Sequence, residues 1–252
     1  MKQPVIFIGH GSPMNAIENN VYTKEWERIG TKLEKPKGIL CISAHWLTDG
    51  TVVITNPKPE TIYDFYGFPE ELYKVTYPVS GSEELVNKVQ NLVGDSLNLD
   101  PKHGLDHGTW VVLKRLFPKH DVPVVQLSIN ITLDIKDHFE LGKKLSKLRE
   151  EGYVIIGSGN IVHNLELINW NDVPFQWAID FDNKIKNLID NSEYEKLINY
   201  EKIENNELAI PTNEHYLPLL YILGLISKDD QIEYFAESIA YGSLSMRSLL
   251  IK

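Results

Sequence analysis

Apolar runs that end in an imidazole constrain this chain more than any other feature. Gly38-Ile-Leu-Cys-Ile-Ser-Ala-His45-Trp46 has the composition of a buried strand until its last residues. Pro4 to Gly9 repeats the design and closes on His10, and Tyr153 to Ile156 leads through Gly157-Ser158-Gly159-Asn160 to His163. Buried strands alternating with helical segments predict an α/β fold: a mostly parallel central sheet flanked by helices in three layers. In such sheets ligands bind beyond the carboxyl ends of the strands, where residues distant in sequence converge. Neutral imidazole is the commonest protein ligand for a transition metal. Three histidines at three strand ends therefore predict a metal site at the sheet rim.

No Pro/Ser/Gly-rich spacer, low-complexity tract or repeat divides the 252 residues, so one domain over 1–252 is expected. The net charge of −10 argues against nucleic acid and anionic lipid, which demand a basic surface, and leaves small substrates open. No apolar run approaches the ~20 residues of a membrane helix, and no basic segment with an apolar core opens the chain. A cytoplasmic protein that docks on no membrane is the expectation; its oligomeric state stays open. Cys41 is the single cysteine and lies within an apolar run, which predicts a buried side chain without a catalytic role.

In chain order, the pattern predicts a strand from Met1 to Gly9, a turn at His10-Gly11-Ser12-Pro13 and a helix over Tyr22 to Leu33. The second strand should place Cys41, Ser43 and His45 on one face by its period of two. Thr51 to Thr55 reads as a third strand. The aromatic segment Ile62 to Pro69 reads either as a loop packed by its own rings or as one wall of an aromatic pocket. Ser82 caps a helix ending at Gly94, and His107 precedes a short helix over Val111 to Phe117. A strand over Val122 to Ile129 precedes an amphipathic helix over Leu133 to Arg149. Asn160 should cap a helix with His163 in its first turn. Surface helices then cover Phe175 to Leu188 and Tyr194 to Tyr200. His215 stands at the entrance of the last helix, with Pro218 in its first turn and Gly224 at its end. Gln231 to Ala240 reads as the last strand, with 241–247 trailing over the domain, and His120 and His138 should be solvated.

Five of the eight histidines, His10, His45, His107, His163 and His215, thus occupy positions where α/β enzymes place site residues. None has the short spacing of a zinc finger. The residues support a metal enzyme of the α/β class and no more.

Seven segments add a family likeness. Gly9-His10-Gly11-Ser12-Pro13, Ser43-Ala44-His45-Trp46, Tyr63-Asp64-Phe65-Tyr66-Gly67-Phe68-Pro69, Asp106-His107-Gly108-Thr109-Trp110, Gly157 to Asn164, Glu214-His215-Tyr216-Leu217-Pro218 and Gly242 to Arg247 resemble, in order, the class III extradiol ring-cleavage dioxygenases, in particular the DOPA dioxygenase branch. The resemblance implies one mononuclear site, Fe(II) or Zn(II), with His10, His45 and His215 as ligands and His163 as acid/base or fourth ligand. His107 is implied to bond the substrate or oxygen, or else serves only to cap its helix. Ser12, Trp46, Tyr66, Phe68 and Tyr216 are the expected substrate contacts, and a catechol and O₂ the small-molecule partners. Protocatechuate-type relatives use two histidines and a glutamate, so Glu214 competes with His215 as third ligand or orients a histidine. The rival classes are a zinc hydrolase, in which the metal activates water, and a non-catalytic metal-binding module.

Overall fold

The structure, a computed structural model, describes residues 2–252. Strand β1 (Val5–Gly9) precedes helix α1 (Val21–Lys32), whose cap Asn20 accepts from the amides of Tyr22 and Thr23. There follow β2 (Gly38–Thr48), β3 (Thr51–Ile54), α2 (Glu83–Val93) with its predicted Ser82 cap, β4 (Leu97–Asp100) and α3 (His107–Leu116). The middle of the chain builds β5 (Val124–Asn130), α4 (Ile135–Leu145), α5 (Lys147–Glu150), β6 (Tyr153–Gly159), α6 (Gln176–Asp190), α7 (Tyr194–Ile198) and α8 (Asn206–Ala209). Helix α9 (Leu217–Gly224) and strands β7 (Ile232–Phe235), β8 (Ile239–Ala240), β9 (Leu244–Ser245) and β10 (Ser248–Ile251) complete it.

The main sheet has the order β4-β3-β5-β2-β6-β1-β10-β7. Its centre, β5-β2-β6-β1, is parallel, which brings four carboxyl ends to one edge; β3 and β10 run antiparallel to their central neighbours. Helix α3 packs on β2 and β6 with α1 behind it, and α9 packs on β1, β2 and β6 with α4 behind it. Every residue of β1, β5 and β6 is consequently buried, as strands covered on both faces must be. The glycines of β6 permit this. A Cβ on Gly159 would lie 2.1 Å from the carbonyl oxygen of His215, and one on Gly157 2.7 Å from that of Pro218. The start of α9 thereby approaches the sheet to backbone contact, and Ser158 between the two glycines faces the other way.

Several elements differ from the sequence pattern. Met1, expected in the first strand, lies outside the described residues. The helix expected over Leu133 to Arg149 divides at Ser146, and Gln231 to Ala240 is broken at Ala236, whose φ is +52°. The segment after Tyr241 does not trail over the end: β9 pairs with β8, and β10 inserts between β1 and β7. Asn160 starts no helix, because the next residues pair with the distant C-terminal segment. Ser245 donates to the Val162 carbonyl, and His163 forms a bridge with Leu244. Asn164 instead caps a short 3-10 turn, Leu165–Leu167. His138 is buried rather than solvated, its Nδ1 3.0 Å from the Tyr221 hydroxyl. His120 is half-buried against the Tyr77 ring. Cys41 is buried, as expected.

Candidate active site

Strand β2 pairs with β5 in register through Ile42 and again from Leu47, so Ser43 to Trp46 form a bulge. His45 lies within that bulge rather than past the strand's end, and bulges re-aim side chains. Cys41, Ser43 and His45 all face α3, as the period of two predicts. Cys41 receives the Thr109 hydroxyl, Ser43 donates to Asp106 at 2.7 Å, and the His45 ring lies 3.9 Å from that of His107.

His10 follows β1, its backbone N–H donating to the Gly159 carbonyl. Its Nδ1 is 2.9 Å from Ser158 Oγ, and the Ser158 hydroxyl donates to the Gly108 carbonyl at 2.6 Å. With its only proton committed there, Ser158 accepts from His10 Nδ1–H, and His10 Nε2 keeps its lone pair. His215 reaches the same state by another partner: Nδ1 donates to Glu214 Oε1 at 3.0 Å, and a carboxylate only accepts. Glu214 Oε1 also receives the Thr212 hydroxyl. His10 Nε2 stands 3.1 Å from His45 Nε2, and His215 Nε2 is buried without a partner among the described residues. The three ring centroids are 4.9, 5.3 and 4.9 Å apart.

A buried polar atom without a partner costs about 1–3 kcal/mol. A cation shared with the neighbouring Nε2 atoms of His10 and His45 would remove that penalty at His215, so His10, His45 and His215 fit a transition metal bound through nitrogen. Burial, reinforced by neighbouring imidazoles, holds His10 and His215 well below the ordinary histidine pKa and lowers His45 to about 3. Burial also lowers His163 to about 4, against the opposing pull of Glu214. All four rings are thus neutral near pH 7, the form that ligates metal or accepts a proton. His163 lies parallel to His215 with centroids 3.5 Å apart. The candidate ligand atoms fall into two adjoining triads, His10, His45, His107 and His163, Glu214, His215, each within 4.8 Å. The expected trio spans both.

His107 opens α3, but Asp106 supplies the cap, accepting from the Thr109 amide. The His107 ring Nδ1 and backbone N–H donate to the two oxygens of Asp64 at 2.8 and 2.9 Å. Of the expected substrate contacts, Tyr216 is fully buried, its hydroxyl donates to the Leu197 carbonyl, and its ring packs on Tyr200. Trp46 is buried and stacked on His103. Tyr66 is 92 % exposed, and Phe68 packs on Phe65. It is Phe65 that sets its ring against His107, at 5.5 Å. Ser12 caps the turn Pro13–Ala16, its Oγ accepting from the Met14 amide. Asp64, Phe65 and Ser158 were not singled out from the sequence, although Asp64 and Phe65 lie in the aromatic segment read as a possible pocket wall and Ser158 alternates with two glycines in a strand.

Comparison with known proteins adds independent findings. Residues 4–248 match the family model described as the catalytic LigB subunit of aromatic ring-opening dioxygenase. A protein of Escherichia coli K12 named 4,5-DOPA dioxygenase extradiol is 44 % identical over 99 % of this chain and 95 % of its own length. A Beta vulgaris protein of the same name is 40 % identical over 96 % of both chains. The crystal structure of an uncharacterized E. coli K12 protein, 40 % identical, superposes over the full length of both chains with a TM-score of 0.88. Among the described residues no helix is long and apolar enough to cross a membrane.

Proposed function

This chain belongs to the LigB family of aromatic ring-opening dioxygenases, in the DOPA dioxygenase branch of the class III extradiol enzymes, and on that premise we propose a metal-dependent enzyme that opens a DOPA-like catechol with O₂. The reaction adds both oxygen atoms to the catechol and breaks the ring bond beside the two hydroxyls, so no external reductant is needed. The proposed ligands are His10, His45 and His215, with iron(II) as the working metal and zinc(II) as a competitor for the same nitrogens. The observation that carries this is the buried, unpartnered His215 Nε2 beside the facing Nε2 atoms of His10 and His45. Iron(II) held by these three histidines would supply the redox chemistry that lets O₂ react with a catechol.

The protein's own groups do the rest. Glu214 and Ser158 fix the tautomers of His215 and His10, the usual task of residues behind metal-bound imidazoles. Glu214 is assigned this orienting role because its Oε1 is already engaged by His215 and Thr212. His163, neutral and beside His215, takes a proton from a catechol hydroxyl and returns one on ring opening. His107 bonds the substrate oxygens, and Phe65 borders the ring site. The enzyme is taken to work in the cytoplasm. Oxygen uptake by the iron(II)-loaded protein across a panel of catechols tests the reading: one O₂ consumed per catechol supports it, and no uptake with any catechol refutes it.

A further inference from the structure

The aromatic loop places one carboxylate against two histidines of the cluster. Asp64 Oδ1 accepts the His107 backbone N–H, and Oδ2 accepts the His107 ring Nδ1–H. The same Oδ2 lies 3.7 Å from His45 Nδ1, beyond hydrogen-bond range yet close enough to favour a proton there. The loop that carries Asp64 is itself fixed. The Ile62 amide donates to the Leu105 carbonyl, the Trp110 indole donates to the Ile62 carbonyl, and the Tyr63 hydroxyl donates to the Val75 carbonyl. The carboxylate is therefore held in place before any substrate arrives, and His107 is 7 % exposed in its side chain against 23 % for Asp64.

We propose that Asp64 is a positioning residue, which locks His107 as the Nδ1–H tautomer and so makes its Nε2 a hydrogen-bond acceptor for the substrate. The role of His107 follows. Its ring accepts from a catechol hydroxyl rather than donating to a substrate oxygen, so it holds and orients the substrate while that proton is present. This consequence rests on the dioxygenase reading given above; the tautomer itself does not.

Asp64→Asn separates the alternatives because an amide has one acceptor where the carboxylate has two. The His107 backbone N–H cannot change its nature, so it takes the asparagine oxygen, and the asparagine NH₂ then faces His107 Nδ1. The ring must answer by moving its proton to Nε2. A carboxylate-to-amide change behind a catalytic imidazole is known to act this way, through the wrong tautomer. Long-range ¹H–¹⁵N NMR of the imidazoles in the metal-free protein reads the tautomer directly, and is run on wild type, Asp64→Asn and Asp64→Ala. We expect Nδ1–H for His107 in wild type, Nε2–H in Asp64→Asn and a mixture in Asp64→Ala. In the iron-loaded Asp64→Asn protein we expect full metal content and at least a ~10²-fold fall in kcat. Nδ1–H retained in both variants, or unchanged kcat with the tautomer reversed, overturns the proposal. Should wild type cleave no catechol, the dioxygenase reading fails, while the NMR comparison still decides whether Asp64 sets the tautomer.

Discussion

Gly159→Ala joins the fold to the site, because the added methyl meets the segment that carries His215. Its Cβ would stand 2.1 Å from the His215 carbonyl oxygen and 3.2 Å from Pro218 Cγ. Ordinary carbon–oxygen approach stops near ~3.3 Å, so the two backbones must separate by about 1 Å. Neither is free to move cheaply: the Asn160 amide donates to that carbonyl at 2.8 Å, and the His10 amide donates to the Gly159 carbonyl at 3.0 Å. Overpacking of this kind costs about 1–3 kcal/mol, which lowers Tm by roughly 2–4 °C per kcal/mol in a chain of this size. Displacing His215 relative to His10 and His45 should weaken metal binding about 10–100-fold, as loss of a residue that orients a ligand does. A ~1 Å misplacement is worth about 10²-fold in rate. Chelator competition measures the affinity, urea unfolding of the metal-free protein measures stability, and oxygen uptake measures the rate. Wild-type affinity and rate in Gly159→Ala would show that close contact of β6 with the start of α9 does not position His215.

Two other expectations follow from the same geometry. His163→Ala should keep its metal and bind catechol anaerobically, yet lose ~10²–10⁴-fold in kcat; a metal-free variant would make His163 a ligand, and normal turnover would pass the proton role to His107. Acid should weaken the metal-free fold through His138, whose pKa burial lowers to about 4. The unfolded chain takes up that proton first, so the stability contribution is intact above pH 6.5 and is lost as pH falls toward 4, by about 2 kcal/mol between pH 7 and 4.5. Urea unfolding of wild type and His138→Gln at both pH values checks this: the variant should lose less by that amount, and an equal loss refutes it.

The convergence of the clustered histidines was legible in the sequence where one rule governed it. His10, His45 and His163 follow runs that can only be central strands, and parallel pairing then brings them to one edge. His107 and His215 stand at helix starts that face the same edge. The substrate wall was harder. Tyr66, Phe65 and Phe68 sit in a loop without a period, so nothing in the sequence says which ring turns toward His107. Trp46 and Tyr216 each neighbour a histidine, but adjacency in a strand or helix start sends successive side chains in different directions. The helix expected after Asn160 and the free tail after Tyr241 failed for one shared reason: His163 and Leu244 form a bridge 81 residues apart in sequence, and non-local pairing overrides a local capping signal. Asp64 was invisible as a partner of His107 because 43 residues separate them.

Metal analysis of iron(II)-reconstituted wild type beside the alanine variants of His10, His45, His215 and Glu214 decides whether the three histidines hold one metal. The structure predicts about one metal per chain in wild type, a large loss in each histidine variant, and substantial retention in Glu214→Ala, whose carboxylate orients rather than ligates. Full metal in His215→Ala with loss in Glu214→Ala would contradict the account and put the glutamate in the third position.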